Sequence, residues 1–135
     1  MGRKRLNLVA QRLRLERCFP ESRSTINRNE LCWRGTLRPT ELSRDYVAKV
    51  TYKLGGAPHV WILHPKLEKR NDQRLPHVYE GDRLCLYLPG TGEWTETQSL
   101  AHTIVPWTSE WLLHYELWLV TGDWNGGGEH PQFPR

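Results

Sequence analysis

The stretch Leu75–Trp94, LPHVYEGDRLCLYLPGTGEW, decides how the rest of this chain is read. Leu84, Leu86 and Leu88 alternate with Cys85 and Tyr87. Along a strand, successive side chains point to opposite faces, so leucines turned toward a core leave Cys85 turned away from it. His77 precedes the cysteine and Trp94 follows it. A thiol presented this way at a strand end, beside a loop that can admit an extended peptide, is a candidate nucleophile.

Upstream, three segments read as strands. In LCWRGTL, Leu31, Trp33, Gly35 and Leu37 alternate with Cys32, Arg34 and Thr36. In YVAKVTYKL, Tyr46, Ala48, Val50 and Tyr52 alternate with Val47, Lys49, Thr51 and Lys53, the pattern of a half-buried antiparallel strand. Gly55-Gly56 makes a turn into HVWIL, His59 to Leu63, which Pro65 closes before the charged loop Glu68–Arg74. Before the strands, ESRSTINRN reads as a polar loop. Residues 3–18 read as a helix with Leu6, Val9 or Ala10, and Leu13 on its apolar face and Pro20 as its stop.

Downstream of Trp94 the period changes. Residues 98–104 read as a short helical turn. PWTSEWLLHYELWLVTGDW then predicts a helix with Thr108 or Ser109 as N-cap, Glu110 at the positive dipole end and Gly122 as its stop. Trp111, Leu112, Leu113, Tyr115, Leu117, Trp118, Leu119 and Val120 leave it almost no polar face, which predicts burial against the sheet. The Gly- and Pro-rich end, residues 125–135, reads as a mobile tail, and residues 1–124 as one domain.

Composition narrows the class. There is no apolar run of membrane-spanning length and no signal-peptide pattern. Three widely spaced cysteines, Cys18, Cys32 and Cys85, fit neither a disulfide framework nor a paired-cysteine zinc site, so a reducing cytoplasm is the expected compartment. The dispersed His64, His102 and His114 show no metal spacing, and neither metal nor cofactor is expected. Cys18 and Cys32 read as structural. Charge is split: residues 1–75 carry 17 Lys/Arg and 7 Asp/Glu, residues 76–135 carry 2 and 8. The basic half suits an acidic protein or a nucleic acid. Binding of nucleic acid through Arg3, Lys4, Arg5, Arg12 and Arg14 has no recognised motif behind it and is the least favoured reading.

The order helix, antiparallel meander, cysteine segment, buried helix is an α+β arrangement. With Pro58 before the third strand, then His77, Gly81, Leu84-Cys85-Leu86 and Trp94, it resembles the ubiquitin-conjugating (UBC-like) fold over about residues 3–122. That resemblance implies an N-terminal helix, a four-stranded antiparallel meander, a cysteine loop and a buried crossover helix, without the C-terminal helices of eukaryotic members. The segments WRGTLRPTELSRDYVAKVTY, LCLYLPGTGEW and TIVPWTSEWLLHYELWLVTGDW look more specifically like the stand-alone conjugating-enzyme-like proteins of bacterial antiphage operons of the cyclic-oligonucleotide-based signalling type, CBASS.

The resemblance implies that Cys85 forms a thioester with the C-terminus of a cGAS/DncV-like nucleotidyltransferase, with or without an activating-enzyme-like partner. His77, Tyr79 and Asp82 are the further candidate catalytic residues. Asp82 and Glu80 are placed to orient or deprotonate an incoming amine, and His77 to do the same or to order the loop. The asparagine that follows His-Pro in the family is absent, since residues 78 and 79 are Val and Tyr, which leaves the oxyanion donor unassigned. The alternative is a catalytically inactive UBC-like module that docks a partner, with Trp107 and Trp124 as candidate surface anchors.

Overall fold

The computed structural model describes residues 4–71 and 73–125. The expected mobile tail lies outside these apart from Asn125. Helix α1 spans Leu8–Cys18; strands β1 to β4 span Arg23–Asn27, Glu30–Leu37, Tyr46–Lys53 and His59–His64; helix α2 spans Ile104–Thr121. The strands form one antiparallel sheet in the order β1-β2-β3-β4. The α+β architecture with an N-terminal helix, a four-stranded meander and a C-terminal helix is as read from the sequence.

Helix α1 starts later than expected and buries a different face. The Asn7 side chain caps it by accepting from the Ala10 N–H at 2.8 Å. Its buried residues are Leu8, Gln11 and Leu15, whereas Val9 and Leu13 are 58% and 59% exposed. The reason is Gln11. Its Nε2 donates to the Gln98 carbonyl and its Oε1 accepts from the Leu100 N–H, both at 2.9 Å. A fully satisfied amide can sit in a core that an unpaired one cannot.

The stretch expected to be a polar loop contains β1. It is joined to β2 by Arg28 and Asn29, both at positive φ (50° and 66°), the backbone of a two-residue hairpin turn. In β2, a Cβ on Gly35 would stand 2.4 Å from Cζ2 of buried Trp33, so only glycine lets that ring lie flat along the strand. The Trp33 indole donates to Ser22 Oγ at 2.8 Å, and its ring meets Phe19 edge-on at 5.6 Å, tying the end of α1 to the sheet. In β3 the buried side is Tyr46, Ala48, Val50 and Tyr52, as the alternation predicted.

Helix α2 begins at Ile104, ahead of the expected cap. Pro106 falls in its first turn, where a missing N–H costs no helical hydrogen bond. Thr108, read as a cap, is instead buried and donates to the Ile104 carbonyl at 2.7 Å. Gly122 ends the helix at φ 81°, its N–H bonded to the Trp118 carbonyl. The helix is not buried all round: Trp111, Leu112, Tyr115 and Trp118 face the core, while Val120 is 81% exposed. No helix among the described residues is long and apolar enough to cross a membrane.

Candidate active site

The cysteine stretch is not a strand of the sheet. It is the return arm of a short loop tied to the sheet's edge. Leu84 donates its N–H to the Val60 carbonyl of β4 at 2.9 Å. Within the loop, Val78 and Leu84 form an isolated antiparallel bridge, the Tyr79 N–H bonds the Arg83 carbonyl at 2.7 Å, and the Cys85 N–H bonds the His77 carbonyl at 2.9 Å. Gly81 and Asp82 take positive φ (79° and 60°) at its tip, inside a 3-10 turn over Glu80–Asp82. Val78 and Leu84 are buried. The alternation then gives out: Leu86 is half-buried and Leu88 exposed, contrary to the expectation of three leucines in the core.

Cys85 is half-buried. Its sulfur lies 3.6 Å from the Tyr79 hydroxyl and 3.7 Å from the Tyr87 carbonyl. Burial pushes the thiol up from its ordinary value, while Tyr79 and the Arg83 charge pull it down and Glu93 adds to the rise. Tyr79 itself is pushed up to about 12, by burial first and then by its hydrogen bond with Cys85. It is therefore a neutral phenol at any physiological pH, able to accept from the thiol or to donate to a thiolate.

The Arg83 guanidinium lies over the Tyr79 ring, 4.3 Å from its centroid. Beside Tyr79 and Arg83 is a cleft of about 110 Å³, walled by Ala57 and Pro58 from the sheet side and by Tyr79, Arg83, Leu86 and Tyr87; Cys85 itself does not line it. Arg83 and Tyr87 were not among the residues singled out from the sequence. A signal for Arg83 was present, since it is the single Lys or Arg between residues 76 and 134.

The other candidates are placed differently. The His77 ring is 7% exposed and stacks on Trp124 with centroids 5.1 Å apart. Its carbonyl accepts from both the Cys85 N–H and the Trp111 indole, the latter at 3.0 Å. Asp82 and Glu80 stand exposed at the loop tip. Trp94 is buried edge-on against Tyr52 at 5.4 Å, with its indole donating to Thr103, and so pins the chain after the cysteine onto the core. Trp107 and Trp124, the candidate surface anchors, are half-buried and packed against the core.

Of the other cysteines, Cys32 sits on β2. Cys18 is exposed at the end of α1, its sulfur 3.6 Å from His102 Nε2. Among the described residues no group of three or more His, Cys, Asp or Glu is placed to hold a metal ion.

The half-buried Cys85 thiol thus has a neutral phenol within 3.6 Å and the Arg83 charge nearby. No curated protein matches the chain. A family profile described as type II CBASS E2 protein matches residues 11–131. Most of α1, the four-stranded meander, the edge loop carrying Cys85 and the closing helix fall within that span, and the chain belongs to the type II CBASS E2 protein family.

Proposed function

We propose that Cys85 is an acyl carrier. Its thiolate attacks an activated C-terminal carboxyl of a cGAS/DncV-like nucleotidyltransferase, presented as the thioester of an activating-enzyme-like protein or as an acyl-adenylate. A carbon–sulfur bond forms as the bond to the leaving thiolate or AMP breaks. A target amine then attacks the new thioester. The carbon–nitrogen bond forms, Cys85 leaves with its electron pair, and the amine's proton passes to solvent or to Asp82 or Glu80 at the loop tip.

Tyr79 supplies what the missing asparagine leaves open. Its phenol stays protonated and stands within reach of the sulfur, so it can donate to the thiolate and to the oxygen that becomes negative as the carbonyl is attacked. His77 acts through the main chain, its carbonyl fixing the Cys85 N–H. The single observation that carries the reading is the 3.6 Å approach of the Tyr79 hydroxyl to the Cys85 sulfur, with Tyr79 itself lining the cleft.

The test is mass spectrometry of the protein co-expressed with a cGAS/DncV-like nucleotidyltransferase. A DTT-sensitive adduct appears with wild type and vanishes in Cys85→Ala. An adduct that persists in Cys85→Ala overturns the assignment. The second reading, a docking module without chemistry, draws on the partial covering of the sulfur and the absent asparagine. It predicts that Cys85→Ala leaves phage defence intact.

A further inference from the structure

The outward face of the sheet carries one cross-strand row of unusual composition. Arg23 of β1 stands opposite Arg34 of β2, Arg34 opposite Lys49 of β3, and Lys49 opposite Trp61 of β4. Like charges placed directly opposite one another destabilise a sheet, and here two such pairs share one row. Among the described residues, none of the three cations has a carboxylate at ion-pair distance. The acid in register on this face, Glu30, lies in another row, opposite Lys53. The row ends in an aromatic platform: Lys49 Nζ sits 5.7 Å from the Trp61 centroid, and His59 meets the same ring edge-on at 6.0 Å. Arg23 and Arg34 are exposed and Trp61 is half-exposed.

We propose that this row, Arg23–Arg34–Lys49–Trp61, binds single-stranded nucleic acid, with the three cations on consecutive phosphates and a base stacked on Trp61. Neighbouring strands are about 4.8 Å apart, so the three cations cover roughly 10 Å and the indole stands one strand further on. Cations that track a backbone, followed by an aromatic ring on which a base can stack, are the pattern of sequence-tolerant single-strand binding. An acidic protein would satisfy the charges, but it would leave no particular reason for an indole at the end of the row with a cation against its face. The row includes none of the N-terminal cations Arg3, Lys4, Arg5, Arg12 and Arg14, and it does not involve Cys85.

The experiment is fluorescence anisotropy of the full chain with a labelled oligothymidylate of about twenty nucleotides, over a range of salt, with thermal melts of each variant. Three phosphate contacts give a slope of log K against log salt near about −2, and Arg34→Gln or Lys49→Gln each removes about 0.7 of it. Trp61→Ala weakens binding about tenfold and leaves the slope unchanged, and Trp61→Phe restores most of the loss. Absence of binding overturns the proposal. So does binding that ignores these four residues but is lost with Arg5, Arg12 and Arg14. So does polyglutamate competing with the same dependence on Trp61, which would assign the face to an acidic protein. Arg34 and Lys49 lie on the outward side of the sheet, so their variants keep the test valid if the Trp61 substitutions disturb folding.

Discussion

The indole N–H of Trp111, in the middle of α2, donates to the carbonyl oxygen of His77 at 3.0 Å. The same oxygen receives the Cys85 N–H. One main-chain atom thus links the closing helix to the candidate nucleophile, and the loop's position depends on a residue far away in sequence.

Trp111→Phe keeps most of the ring packing and removes the donor. It should cost about 1–2 kcal/mol, read as a lower urea midpoint, and should slow adduct formation at Cys85 more than it lowers partner affinity. His77→Ala keeps the carbonyl and removes the ring from beneath Trp124. A loss of stability with an unchanged pH profile of adduct formation marks an ordering role, whereas a shifted profile would make the imidazole a proton carrier.

Tyr79→Phe keeps the ring under Arg83 and deletes the hydroxyl beside the sulfur. On the proposed chemistry it should lower the rate of thioester formation by about 10- to 100-fold with little effect on the melting temperature. Single-turnover kinetics with an activated peptide would show it. An unchanged rate removes Tyr79 from the site.

Burial holds the Cys85 thiol above its ordinary pKa. The thiolate fraction at neutrality is thus smaller than for a free cysteine, and the adduct-forming rate should keep climbing with pH past the usual thiol midpoint of about 8.5. Arg83 opposes the rise, so Arg83→Gln should push the curve to still higher pH. A curve that moves down in Arg83→Gln contradicts this sign.

A bulky disulfide reagent should reach exposed Cys18 before half-buried Cys85. Timed labelling with mass mapping should show a fast phase lost in Cys18→Ser and a slower phase from half-buried Cys32 and Cys85, the Cys85 part of which is lost in Cys85→Ala. Adduct assays on wild type therefore need Cys18→Ser as a control for capture at the wrong thiol.

Gly35→Ala places a methyl against the Trp33 ring. Overpacking of this kind should cost about 1–3 kcal/mol, seen as a lower denaturation midpoint, with Cys85 chemistry unchanged at temperatures where the variant is folded.

What the sequence disclosed follows from how local the causes are. β3 was legible because its two faces differ in polarity at every step, and the stop at Gly122 because a left-handed backbone selects glycine. β1 was hidden because it lies at the sheet's edge and its inward side chains, Ser24 and Ile26, are only half-buried. The face of α1 was misread because burial of Gln11 is decided by two backbone partners near residue 100, which no periodicity reveals. Cys85 stood out through the order of motifs around it. The alternation of leucines around it was a poor guide, because Leu88 leads into the turn at Pro89-Gly90 and does not lie in a sheet. Tyr79 came into view as a neighbour of the sulfur only once the loop's three backbone bonds were known.

The bond from Leu84 to Val60 occupies a rung of β4's outer rim with the protein's own chain. That rung of the edge is therefore closed to an added strand. On the proposed function, a tail reaching Cys85 passes over the loop, and its choice rests on side-chain fit at Arg83 and the two tyrosines.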